Sequence, residues 1–142
     1  MRVSDIMAEN PIAVEGPEPV AAAARLMKER NIGSIPVKDE SGRLTGLLTD
    51  RDIVLRCVAA GRDPAMVRTD EIMSTGAVTA APGEDVTAAL SRMRHEQVRR
   101  LPVVEGDRLV GMLSLADVAR TQRLDMEAAQ ALSGITSNIC RK

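Results

Sequence analysis

The sequence predicts a mixed α/β (α+β) fold built from two copies of one β-α-β-β-α unit. The first observation behind this is a self-match 66 positions apart: Ile6, Met7, Val20, Ala22, Ala23, Met27, Pro36 and Val37 recur as Ile72, Met73, Val86, Ala88, Ala89, Met93, Pro102 and Val103. Past the segment Lys38-Asp39-Glu40-Ser41-Gly42, which Val104-Glu105-Gly106-Asp107 shortens by one, Arg43, Leu44, Gly46, Leu48 and Asp52 recur as Arg108, Leu109, Gly111, Leu113 and Asp117. A one-residue change of offset belongs at a surface turn. The second observation is that the apolar pattern inside each copy changes from helical spacing to short β-branched runs. The third is size: 142 residues make one domain, and two repeats of about 60 residues each are marginal without a shared core, so they are expected to fold together.

Each repeat opens with a brief helix, Ser4-Asp5-Ile6-Met7 or Thr69-Asp70-Glu71-Ile72-Met73, for which Ser4 and Thr69 are the expected caps. A short extended piece follows at Ile12-Ala13-Val14 and at Ala77-Val78-Thr79. The clearest helix is next. Val20, Ala23, Ala24 and Met27, and in the second copy Val86, Ala89, Leu90 and Met93, follow the i, i+3, i+4, i+7 rule of one buried face. Pro17 and Pro19, or Pro82 and Gly83, mark its entry, and Asn31 and Gly33 mark the exit in the first copy. Two apolar runs then predict a hairpin, Ser34 to Val37 with Leu44 to Leu48 and Leu101 to Val104 with Leu109 to Leu113, turned at Gly42 and Gly106. A second helix begins at Thr49-Asp50 and at Ser114, with Ile53, Val54 and Cys57, or Val118, turned inward. This places repeat 1 at 3–60, a linker at 61–68 begun by the helix stop Ala60-Gly61-Arg62-Asp63-Pro64, repeat 2 at 69–120, and a tail at 121–142 that is helical through Ala131 and looser beyond.

Composition narrows function. Nineteen basic and 20 acidic residues leave a formal charge of −1, so no whole-protein field recruits nucleic acid or an anionic membrane. Phe, Tyr and Trp are absent, which removes the stacking platforms of single-strand binders. His95 is the single histidine, and Cys57 and Cys140 are too few and too far apart for a disulfide framework or zinc knuckle, so no metal site and no enzyme built on imidazole chemistry is expected. Arg2, Ser4, Asp5 and Glu9 interrupt the amino terminus and no long apolar run follows, which argues for a cytoplasmic protein.

Six strings, three per repeat and in the same order, resemble the CBS-domain family. They are Ser4-Asp5-Ile6-Met7, Ile32-Gly33-Ser34-Ile35-Pro36-Val37 and Gly46-Leu47-Leu48-Thr49-Asp50-Arg51-Asp52, then Asp70-Glu71-Ile72-Met73, Val98-Arg99-Arg100-Leu101-Pro102-Val103 and Gly111-Met112-Leu113-Ser114-Leu115-Ala116-Asp117. The whole is similar to a stand-alone tandem CBS pair, or Bateman module, of the small bacterial hypoxic-response type. The resemblance implies two repeats packed with pseudo-two-fold symmetry, no catalysis, no required cofactor, and regulation by an adenosine-containing ligand such as AMP, ADP, ATP or S-adenosylmethionine. It implies a homodimer and a regulated partner protein. Carried over residue by residue, one cleft would use Ser114 and Asp117 with Met7, Ile12, Ile32, Gly33, Ser34 and Arg100; the other would use Thr49, Arg51 and Asp52 with Met73, Val78, Val98 and Arg99.

The residues support that reading without deciding it. A hydroxyl and free N–H groups where a strand passes into a helix suit a phosphate, a carboxylate suits ribose hydroxyls, and Arg51, Arg99 and Arg100 offer planar forks. The same Ser/Thr-x-x-Asp spacing is also a capping box that needs no ligand. Met7 and Met73 serve equally well as core filler, and adjacent arginines in a strand point to opposite faces. The competing function is a structural interaction protein whose clefts are vestigial. Dimerisation is expected in either case, because the helix surfaces Val20 to Met27, Val86 to Met93 and Ile53 to Cys57 are too apolar for one small core to cover.

Overall fold

The computed structural model describes residues 1–121 and 129–135. In chain order the elements are α1 (Val3–Ile6), β1 (Ala8–Glu9), β2 (Val14–Glu15), α2 (Val20–Arg30), β3 (Ser34–Lys38), β4 (Leu44–Thr49), α3 (Asp50–Ile53, continued by a π-helical turn over Val54–Val58), α4 (Thr69–Ile72), α5 (Val86–Glu96), β5 (Arg100–Glu105), β6 (Arg108–Ser114), α6 (Leu115–Ala119) and α7 (129–135). They form two three-stranded sheets with their helices.

The chain divides into two units, and neither coincides with a sequence repeat. One holds Met1–Pro11, Val78–Gly106 and the described residues from Val110 on; the other holds Ile12–Ala77 with Asp107–Leu109. The opening segment of each repeat has thus joined the hairpin of the other repeat. In the first unit β1 pairs antiparallel with β6, setting Ala8 opposite Met112 and Glu9 opposite Gly111. In the second, Leu47 and Ser74 exchange backbone hydrogen bonds of 2.9 Å in the same manner.

In the second unit β2 runs parallel to β3, with Val14 opposite Val37, and β3 pairs antiparallel with β4, with Ile35 opposite Leu48. The face of α2 formed by Val20, Ala23 and Met27 closes over Ile35, Val37 and Leu48. In the first unit Val86, Ala89, Leu90 and Met93 of α5 do the same for Leu101, Val103 and Leu113, joined by Val3 from α1 and Val118 from α6. Each buried Leu or Met here is worth about 2–5 kcal/mol against alanine. Both long helices stop on a left-handed residue, Asn31 at φ 53° and Gln97 at φ 59°, and both hairpins turn on a left-handed glycine, Gly42 at φ 89° and Gly106 at φ 68°.

Several expectations are corrected. Ser4 and Thr69 do not cap the opening helices, which begin after Arg2 and Arg68; the carboxylates of Asp5 and Glu71 reach back to accept the N–H of those residues at 2.8 and 2.7 Å. Thr69 is fully buried, and its hydroxyl donates to the Glu18 carbonyl instead. The early extended pieces lie further along the chain, at Val14–Glu15 and at Ala80, which bridges Val103 in parallel. Val54 does not face inward: the π-helical winding rotates it out to 54% exposure, while Cys57 stays buried. Val20, Ala23 and Met27 of α2 and Val86, Ala89, Leu90 and Met93 of α5 are buried inside their own units, while Ala21, Ala22, Ala24 and Leu26 keep accessible surface. Gly33 has no left-handed backbone, so it does not end the helix; a Cβ there would lie 3.1 Å from Asp50 Oδ2. The tail helix runs past Ala131 to residue 135, and residues 122–128 and 136–142 lie outside the described part.

Candidate functional site

At the ends of β4 and β6 the strand passes directly into a helix, and the residue at the junction keeps extended backbone. In each case a reciprocal pair of hydrogen bonds fixes the turn. Asp52 N–H donates to Thr49 Oγ1 at 3.0 Å and Thr49 N–H donates to Asp52 Oδ2 at 3.0 Å; the Ser114–Asp117 pair repeats this at 3.0 and 3.1 Å. The capping reading of Ser/Thr-x-x-Asp is therefore realised at both junctions. It uses one carboxylate oxygen. The other, Oδ1, accepts from Ser74 Oγ at 3.4 Å and faces Arg56 at 3.9 Å in Asp52, whereas in Asp117 it accepts from Arg120 at 2.9 Å. Arg120 is 75% exposed, so that ion pair exchanges with solvent or a ligand hydroxyl at small cost.

A methionine is pressed against each strand that carries such a junction. A Cβ on Gly46 would lie 2.6 Å from Met73 Sδ and 2.8 Å from the Ser74 carbonyl; one on Gly111 would lie 2.6 Å from Met7 Sδ and 3.0 Å from the Ala8 carbonyl. Only glycine lets the two backbones approach this closely. Met73 thus belongs with Thr49 and Asp52, and Met7 with Ser114 and Asp117.

The segment before each hairpin closes the junction from the side. Asp50 N–H donates to the Gly33 carbonyl at 2.9 Å, and Leu115 N–H donates to the Arg99 carbonyl at 2.8 Å. Gly33-Ser34 in one unit and Arg99-Arg100 in the other therefore occupy equivalent places, with Ser34 directly opposite Thr49. Only the Ser114 junction receives guanidinium groups this way. Around it lies a pocket of about 570 Å³ lined by Arg99, Arg100, Ser114, Leu115, Ala116, Ala119, Ala129 and Leu132. Both arginines line it, against the expectation that neighbours in a strand face apart, because Arg99 sits in a bend ahead of β5 where strand alternation has not begun. Among the described residues neither pairs with a carboxylate.

The other unit carries a pocket of about 680 Å³ that includes Glu15, Lys38, Asp39, Thr45, Arg68 and Asp70. Three of its charged groups are engaged, Asp39, Arg68 and Asp70. Arg68 makes a two-pronged contact with Asp70 at 2.7 and 3.1 Å, which raises its pKa, and the Ser41 hydroxyl followed by the Arg43 N–H lowers that of Asp39. Next to it the Arg68 N–H and then Arg62 hold Glu71 below its ordinary value.

Of the residues singled out from sequence, Met7, Val78, Val98, Arg99, Arg100, Ser114 and Asp117 fall in the first unit, and Ile12, Ile32, Gly33, Ser34, Thr49, Arg51, Asp52 and Met73 in the second. Val78 and Val98 pack half-buried on the first core, and Ile32 on the second. Arg51 is exposed on α3. Sequence reasoning missed Ser74, Arg120, and the pocket residues Ala119, Ala129 and Leu132. The small residues at 116 and 119, one helical turn apart, were the available signal for an open helix face. Among the described residues no three His, Cys, Asp or Glu side chains gather as a metal-binding group, and no helix is long and apolar enough to cross a membrane.

Comparison with known proteins adds five findings. The sequence model of the CBS domain matches residues 3–58 and again 69–123. The chain is 41% identical over 134 residues to CBS domain-containing protein YhcV of Bacillus subtilis (strain 168), covering 94% of each. It is 39% identical over 116 residues to Hypoxic response protein 1 of Mycobacterium tuberculosis (strain ATCC 25618 / H37Rv), covering 82% of this chain and 81% of that one. The crystal structure of Hypoxic Response Protein I with two coordinated zinc ions aligns at a TM-score of 0.79 and 37% identity over 85% of this chain and 98% of that one; the CBS domain pair of protein MJ0100 in complex with 5′-methylthioadenosine and S-adenosyl-L-methionine aligns at 0.75 and 28% over 87% and 96%.

Proposed function

Because the chain belongs to the CBS domain family and carries two such domains in tandem, we propose that it is a non-catalytic regulatory module that binds an adenosine-containing ligand. The observation that carries this reading is the pocket at Ser114. It joins a hydroxyl at a strand-to-helix junction, two guanidinium groups and an apolar floor within about 570 Å³, inside the range of about 300–1,000 Å³ usual for small-molecule sites. The solved complex of MJ0100 with 5′-methylthioadenosine and S-adenosyl-L-methionine supports the same ligand class.

In this reading Ser114 and Arg100, with Arg99, hold the phosphate or other polar end, and Asp117 Oδ1 exchanges Arg120 for ribose hydroxyls. Met7 flanks the junction, so residues of both repeats contribute within one unit. The Thr49–Asp52 junction, flanked by Met73 and lacking the arginine pair, is the weaker site, its cation being Arg51. Binding regulates a partner protein by favouring one of two arrangements of the module, which requires affinity to differ between them.

Calorimetric titration with AMP, ADP, ATP, adenosine and S-adenosylmethionine tests this. Saturable binding of at least one compound, weakened in Arg100→Ala, is the expected result. Silence from all five would leave the second reading, an interaction protein with vestigial clefts. That reading draws on Val54, Leu55 and Val58, exposed at 54%, 49% and 60% on one short helical stretch. We assign this stretch to a homodimer contact under both readings.

A further inference from the structure

The helix α7 lies outside both repeats, and its residues sort onto two faces. Ala131, Gly134 and Ile135, at spacings of three and four, form the seat. Ala131 and Ile135 are 3% and 1% exposed, a Cβ on Gly134 would come within 3.0 Å of Arg94 Cγ, and the Gln97 amide reaches the Gly134 carbonyl at 3.5 Å. The C-terminal end of α5 thus fixes where α7 sits. The other face, Ala129 and Leu132, lines the pocket that holds Arg99, Arg100 and Ser114. Leu132 is 42% exposed, whereas Leu115 in the same lining is 7% exposed. A large aliphatic side chain is held at an open, cationic pocket instead of in a core.

This placement bears on which part of a ligand goes where. With no Phe, Tyr or Trp in the chain, a flat heterocycle can be covered only by aliphatic side chains, backbone or arginine planes; with Arg99 and Arg100 given to the phosphate, Leu132 is the one large exposed aliphatic side chain left in the lining. We propose that α7 is the wall of the Ser114 pocket that covers the base of a bound nucleotide, with Leu132 as its contact and Arg99 and Arg100 holding the phosphate. The proposal rests on the adenosine-ligand reading above and adds a specificity-determining residue that lies outside the two repeats.

The test is equilibrium binding of AMP and of ribose 5-phosphate, which lacks the base, to the full chain and its variants. Leu132→Ala should weaken AMP about tenfold, the scale of removing apolar contact from a binding pocket, and leave ribose 5-phosphate within about twofold, while Arg100→Ala weakens both. Leu132→Trp would be the only tryptophan in the chain, and its emission should be quenched saturably by AMP but not by ribose 5-phosphate. Parental AMP affinity in Leu132→Ala overturns the proposal and leaves the ligand reading standing. So does an equal loss for both ligands, which marks a structural role. A parent that binds another adenosine compound but not AMP likewise overturns this proposal alone, and a parent that binds none of them overturns both.

Discussion

Replacing Gly46 with alanine isolates the close approach that brings Met73 to the Thr49 junction. Gly46 has no left-handed backbone that would itself forbid a side chain. The new Cβ would sit 2.6 Å from Met73 Sδ and 2.8 Å from the Ser74 carbonyl, which is held by accepting the Leu47 N–H at 2.9 Å. Forcing a methyl into such a contact costs about 1–3 kcal/mol, and the lower chain entropy of alanine recovers about 0.5–1 of it, leaving a loss of up to about 2.5 kcal/mol. For a chain of this size the midpoint should fall by about 2–4 °C per kcal/mol. Far-ultraviolet circular dichroism is the assay, since the chain has no aromatic fluorophore. The matching variant Gly111→Ala supplies the control, because there the backbone contact is the looser 3.0 Å and the sulfur is the main obstacle. A double-mutant cycle should therefore show Met7→Ala relieving Gly111→Ala more fully than Met73→Ala relieves Gly46→Ala. Gly46→Ala melting at or above the parent would refute the steric argument.

Ser114→Ala removes a cap and should cost about 0.5–2 kcal/mol of stability, whereas Asp117→Ala should also reduce nucleotide affinity; unchanged affinity in titration would remove the carboxylate from the site. Glu71 titrates below its ordinary value, because the Arg68 N–H and the Arg62 guanidinium hold the anion. A depressed folded-state pKa gives stability that is present above the ordinary glutamate range and lost as pH falls through the folded-state value. Melting curves should accordingly show Glu71→Gln below the parent at pH 7 and the two converging as pH falls below the ordinary glutamate range; a constant gap would contradict the ion's role. Val58→Glu places a charge on the exposed aliphatic stretch, and light scattering should report a dimeric parent and a monomeric variant.

The long elements were legible in the sequence because their signals are strong and local: a repeated four-point apolar face for α2 and α5, and paired β-branched runs around Gly42 and Gly106. What escaped was set by tertiary packing. Thr69 reads as a cap by residue type, yet burial turns its hydroxyl to Glu18. The π-helical turn that exposes Val54 leaves no mark in a helical-spacing pattern. The bend that puts Arg99 beside Arg100 lies one residue outside the strand, where period-two reasoning fails. The Ser/Thr-x-x-Asp junctions were found, but capping and ligand binding write the same letters, and both carboxylates are in fact engaged in capping. Leu132 was out of reach, because α7 shares no repeat pattern and joins the pocket only through its seat on α5.

The central claim, that the folded CBS pair binds an adenosine ligand at the Ser114 pocket, is met most directly by thermal unfolding in the presence of AMP, ADP, ATP, adenosine and S-adenosylmethionine at constant ionic strength. A ligand that binds only the folded pair adds about 2.7 kcal/mol at one hundred times its dissociation constant, a rise of about 2–4 °C per kcal/mol. The account predicts such a rise, larger for the phosphorylated adenosines than for adenosine, with the difference reduced in Arg100→Ala. A midpoint that no compound moves at millimolar concentration would contradict it.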